Sequence, residues 1–180
     1  MYTKQLKKIF SIVLFLLSFV IGVNAQTKKQ QRIINDAKKA KAALLEKDAG
    51  LSKFFNGAAG YVIFPNVGKG GLIIGGASGN GAVYEKGKLV GMADLKKVNI
   101  GLQAGGQAII EAIFFETEKE LKDFQKSNYE FAADASAVAL KSGVAVNAQY
   151  KSGVAVFALP KAGLMADASV GGQKFTYNPL

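Results

Sequence analysis

Residues Gly60–Gly81 read GYVIFPNVGKGGLIIGGASGNG. Glycine runs that carry a lysine cradle phosphate in nucleotide-binding loops, so the spacing decides how this one is read. A Walker A loop ends Gly-Lys-[Ser/Thr], because a hydroxyl must reach the bound magnesium. Here Lys69 is followed by Gly70. A dinucleotide fingerprint needs glycine at i, i+2 and i+5 between a strand and a helix. Gly79 and Gly81 meet the first two positions, but the third is Tyr84; Gly68 and Gly70 fail in the same way at Ile73. Neither nucleotide motif is present. The glycines read instead as strand architecture, at bulges, tight bends and places of close backbone approach. Lys69 remains the one candidate phosphate contact within the run.

Working outward, YVIF and GLIIGGA are short β-prone runs, and the same texture continues in AVYEKGKLVGMADL and NIGLQAGGQAIIEAIFF. Gly79-Asn80-Gly81 and Lys86-Gly87 have the composition of hairpin tips. The pattern breaks at Thr117-x-x-Glu120, a capping box that predicts one inserted helix near residues 117–127. Strands resume after Tyr129 and run to Tyr177. Three short phrases recur: KSGVAV at Lys141–Val146 and Lys151–Val156, ADAS at Ala133–Ser136 and Ala166–Ser169, and GGQ at Gly105–Gln107 and Gly171–Gln173. Their unequal spacing excludes a solenoid of fixed period. Related strands reused in one curved or barrel-like sheet account for them.

Upstream of the sheet, residues 27–48 lack glycine and proline and place Ile33, Ala37, Ala40 and Leu44 on one helical stripe, with Ile34, Lys41 and Leu45 beside it. Earlier still, MYTKQLKK is a basic start followed by an apolar run from Ile9 to Val23, too short for the roughly 20 residues of a spanning helix. Val23-Asn24-Ala25 then supplies a small-x-small site. Residues 1–25 are therefore expected to be a signal peptide cleaved near Ala25–Gln26, with an exported chain (periplasmic or secreted) as the product. The formal charge is +10; Lys4, Lys7 and Lys8 lie in the leader, which leaves +7. Between Gln26 and Lys53 eight basic residues face three acidic ones, so five of those seven charges sit at the start of the mature chain.

Composition also restricts the chemistry. With no histidine and no cysteine, histidine bases, thiol nucleophiles and the usual ligands of zinc, haem and iron–sulfur centres are missing. KSG resembles an element of penicillin-recognising enzymes, but the Ser-x-x-Lys that accompanies it occurs nowhere. A carboxylate pair, Asp134 and Asp167 in the two ADAS copies, is the remaining route to a hydrolase, and structural carboxylates are the simpler reading. The expectation is a non-enzyme without cofactor or metal. The basic helix has no aromatic residue for stacking bases, so nucleic acid is not the expected partner. A basic amphipathic helix suits an anionic membrane surface, or equally a helix packed on the sheet with its lysines in water.

Together, GYVIFPNVGKGGLIIGGASGNG, NIGLQAGGQAIIEAIFF, FAADASAVA and GVAVFALPKAGLMADASVGGQKFTY resemble the SYLF domain, an actin-organising, lipid-binding domain, over about Asp36 to Tyr177. That resemblance implies binding of phosphoinositide-like anionic lipid through the N-terminal helix. The matching positions are Lys28, Lys29, Arg32, Lys38, Lys39 and Lys41, with Ile33, Ile34, Leu44 and Leu45 as the apolar side. It also implies a protein-interaction or envelope-scaffold role, including actin binding, as the alternative. The expected fold is α+β in one domain, residues 26–180. It comprises an N-terminal amphipathic helix (26–50) and a Gly-rich, mainly antiparallel core (57–180) interrupted by the mid-chain helix, with peripheral attachment to a membrane.

Overall fold

The computed structural model describes residues 28–71, 74–126, 129–130 and 138–180. The expected signal peptide and Asp134 lie outside the described residues, and Asp167 is placed only by its register opposite Gln103. The chain divides into two units, Met1–Arg32 and Ile33–Leu180. Residues 28–32 of the first are helical.

The second unit is α+β. Helix α1 covers 33–47, followed by a 3-10 turn at Ala49–Leu51 and helix α2, Ser52–Gly57. Strands β1 (Gly60–Gly71), β2 (Ile74–Glu85) and β3 (Lys88–Phe115) come next, then α3 (Glu118–Gln125), β4 (Tyr129–Glu130), β5 (Val138–Ala139), α4 (Val144–Asn147) and β6 (Val154–Pro179). The sheet order is β1-β2-β3-β6-β4, with β5 parallel to β6 and every other pairing antiparallel. The result is a mixed sheet that is not closed into a barrel.

β3 organises it. Its first half pairs with β2, its second half pairs back onto β1, and β6 follows it from Gly91↔Pro179 to Phe115↔Val154. The two β-prone runs that read as separate short strands are therefore one strand of 28 residues. A partner that matches it along nearly its whole length satisfies the backbone without a turn. Each face of the sheet carries a buried cluster, and alternation along each strand assigns its residues to one or the other. Tyr61, Ile63, Ala112, Phe114 and Phe157 meet Leu44, Phe54 and Leu140 on one side. Val62, Phe64, Ile113, Phe115 and Phe175 meet Leu121 and Phe124 of α3 on the other.

Local chemistry settles several elements. Thr117 caps α3: its Oγ1 accepts from Lys119 N at 3.1 Å and donates to the Glu120 carboxylate. Lys86 and Gly87 take φ of 47° and 80°, the left-handed pair that a tight β2–β3 turn needs. Gly79-Asn80-Gly81, by contrast, is no hairpin tip but lies within β2. A Cβ on Gly81 would stand 2.7 Å from Phe64 Cδ1 and 2.8 Å from Ile63 O, beside the register shift in β1. Glycine is required there for close approach, not for a bend. The two KSGVAV copies also part company. In the second, Ser152 and Gly153 turn and Val154 enters β6; in the first, Gly143 at φ 80° caps helix α4, where strand had been expected. The difference comes from Asp48, whose carboxylate accepts from Ala145 N at 2.7 Å and from Gly50 N at 2.9 Å. One buried side chain caps two helical turns, a contact no local pattern contains.

A candidate anionic-lipid surface

α1 lies on the sheet through Ala37, Ala40 and Leu44, all buried, with Ala43 and Leu45 half-buried against the same cluster. Leu44 is fully enclosed, so the sequence-expected apolar side contributes to the core at this position. Leu45 packs on that cluster's margin. Ile33 and Ile34 are half-buried. Burying Leu44 contributes about 1.5–3 kcal/mol to folding, which is what holds α1 in place.

The cations separate into two groups. Lys41 turns toward the protein: its Nζ lies 4.5 Å from the Phe55 ring centre and 5.2 Å from that of Tyr61, and donates to Tyr61 Oη at 3.3 Å. Partial burial lowers its pKa, and the same burial raises that of Tyr61. Lys53 is also engaged, donating to Val146 O at 2.7 Å and Ala148 O at 3.1 Å over the Phe54 ring. Lys38, Lys39 and Lys47 of α1 are exposed. In the first unit Lys28, Lys29 and Arg32 are exposed too. Lys39 borders a cleft of about 200 Å³ with Asn66 and Lys161, smaller than the ~300 Å³ at which small-molecule pockets begin. Lys161 is held there by Pro65 O at 3.4 Å and by Asn66 Oδ1.

Lys69 lies three residues beyond Asn66 on β1, directly opposite Gln107 of β3 and Ala77 of β2. Ala77 in turn is opposite Lys97, and Lys97 is opposite Gln173. Beside this row Glu111 is almost wholly buried, and Gln173 Nε2 donates to its two oxygens at 3.2 and 3.4 Å. Burial raises the Glu111 pKa, while the charges of Lys69 and Lys97 oppose that rise. Of these residues only Lys69 was singled out from the sequence. The GGQ repeat was the available signal for Gln107 and Gln173, but only strand register turns two tripeptides into one site.

Among the described residues no helix is long and apolar enough to cross a membrane. Comparison of the chain with protein-family models and with curated proteins finds no match.

Proposed function

We propose that this protein binds anionic phospholipid surfaces outside the cytoplasm, without catalysis, by electrostatic attachment and not by insertion. The observation that carries the reading is the division of labour on α1. Leu44, Ala37 and Ala40 are committed to the core, while Lys38 and Lys39 remain in water. An amphipathic helix whose apolar face is already used has only its charge to offer a bilayer. Lys28, Lys29 and Arg32 of the first unit are exposed as well. The SYLF-like strand motifs support the same lipid class. Lys41 has a structural role in this scheme, because it is drawn onto Phe55 and Tyr61.

Liposome flotation tests the proposal. Each cation near an anionic leaflet contributes at most ~1 kcal/mol, and only within about a Debye length. Replacing Lys28, Lys29, Arg32 and Lys39 by Gln therefore removes at most about 4 kcal/mol. Half of that weakens binding roughly thirtyfold. Binding by the unaltered protein should fade as salt rises. A folded four-charge variant that floats with acidic vesicles as well as the parent at low salt would overturn the proposal.

A further inference from the structure

Two β-bulges face each other across β3 at Ile109 and Ile110. On one side Phe64 stands opposite Glu111 and Val67 opposite Ile109, so Pro65 and Asn66 of β1 share the single residue Ile110. On the other side Pro160 stands opposite Ile109 and Ala162 opposite Ala108, so Lys161 of β6 has no residue opposite it on β3. A bulge re-aims a side chain out of the alternation of its strand. Here the Lys161 ammonium reaches over β3 to bond Pro65 O at 3.4 Å and Asn66 Oδ1. Pro65, Asn66 and Lys161 together form one wall of the cleft of about 200 Å³ beside α1.

α1 supplies the other wall. Asp36 and Lys39 are three residues apart and so lie on one face of the helix. Ala40 and Ala43 line the cleft with them, and their methyl groups leave the space open. Ile110, which belongs to the core on this side, is the apolar residue between the walls. The charged groups of the cleft are thus Lys39, Lys161 and Asp36. Among the described residues none of the three is in an ion pair. An ammonium group carries three donors; Lys161 uses two of them on Pro65 O and Asn66 Oδ1, and one remains. Asn66 accepts through Oδ1, which leaves its Nδ2 as a donor. Two cations and an amide on one part of the lining, with a carboxylate on another, match a small ligand that carries both an anion and a cation.

We propose that this cleft binds a phosphoethanolamine group, with its phosphate against the Lys39 and Lys161 ammonium groups and the Asn66 amide, and its ammonium against the Asp36 carboxylate. Lysine binds phosphate as a point charge, so two lysines on opposite walls can share one tetrahedral anion. The volume suits a head group and not a larger molecule. Asp36 gives the site its selectivity: an anion without a cation would face the carboxylate unfavourably, and like charges brought together act against the wrong ligand. The group comes from a phosphatidylethanolamine head group or from soluble phosphoethanolamine. In the first case the inference rests on the membrane reading above, since Lys39 then serves both the leaflet and the cleft; in the second it stands without it.

The test is calorimetric titration of the full chain with O-phosphoethanolamine and with inorganic phosphate, together with flotation on vesicles of fixed phosphatidylglycerol content in which phosphatidylethanolamine replaces phosphatidylcholine. Choline carries the same charge as ethanolamine but has no N–H to donate to Asp36. The parent should prefer phosphoethanolamine to inorganic phosphate by roughly tenfold, the worth of one charge-assisted hydrogen bond. Asp36→Asn should erase that preference, and Lys161→Gln should weaken both ligands by roughly tenfold. If Lys161→Gln does not fold, Asp36→Asn decides alone, because its readout is a preference and not a stability. A preference in solution with no gain from phosphatidylethanolamine supports a soluble ligand. A gain from phosphatidylethanolamine that Asp36→Asn removes, without binding of the soluble compound, supports a head-group site. A parent with no preference in either assay, a preference that Asp36→Asn retains, or a folded Lys161→Gln with unchanged affinity overturns the inference. Failure of the membrane reading would show separately, as indifference of flotation on acidic vesicles to the four-charge change on Lys28, Lys29, Arg32 and Lys39.

Discussion

Replacing Asp48 by Ala should be among the most damaging single changes in the protein. The carboxylate accepts from Ala145 N and Gly50 N at 2.7 and 2.9 Å and is buried, so truncation leaves two amides without their acceptor. A hydrogen bond to a charged group contributes about 1.5–3 kcal/mol, and the two together about 3–6 kcal/mol. The Ala145 amide, ahead of the cost of burial, holds the Asp48 pKa below its ordinary 3.8. A carboxyl group with a depressed folded pKa stabilises fully above the unfolded value, and that contribution is lost as pH falls through the folded one. The stability gap between the parent and Asp48→Ala should thus be constant near neutrality and narrow progressively below pH 3.8. Urea melts at a series of pH values measure it directly. A gap below about 1 kcal/mol at pH 7, or one that does not change on acidification, would refute the clamp.

Leu44→Ala should cost about 2–5 kcal/mol through the cavity it leaves, read by chemical denaturation. In the fraction that remains folded, vesicle affinity should be unchanged. Gly81→Ala should destabilise by about 1–3 kcal/mol, because the new methyl meets the Phe64 ring and the Ile63 carbonyl at 2.7–2.8 Å; a neutral result in a thermal melt would contradict the close-approach reading. Glu111 titrates with the opposite sign to Asp48. Burial raises its folded pKa above 4.5, so its contribution is greatest in acid and declines as pH rises through the folded value. Glu111→Gln should flatten that part of the stability–pH profile, seen as a smaller difference between melts at pH 4.5 and pH 7.

The elements legible in the sequence are those whose chemistry is local. Thr117 and Glu120 announce α3 because a cap is made within one turn, and Lys86-Gly87 announces a hairpin because its two residues must take positive φ. Gly79-Asn80-Gly81 misleads for a physical reason. A turn and a close strand crossing both demand glycine, and only the bulged neighbour in β1 distinguishes them. KSGVAV shows the limit most sharply: one hexapeptide becomes helix beside Asp48 and strand beside Phe115. The exposed cations of residues 28–39 were readable from composition. The row through Ala77 was not, because its members are drawn from four separate stretches of chain that only the register aligns.

The pairing of β3 with β6 sets an order on synthesis. The residues opposite Gly91–Phe115 are Val154–Pro179, so when β3 leaves the ribosome its partner is still about 40 residues of translation away. Until then one long, apolar rim of the sheet has no mate, and unpaired rims of this kind invite association with other chains. A chaperone that keeps the nascent polypeptide extended would protect that interval. Assembly waits for the last strand, and the native sheet is completed only once that strand has been made.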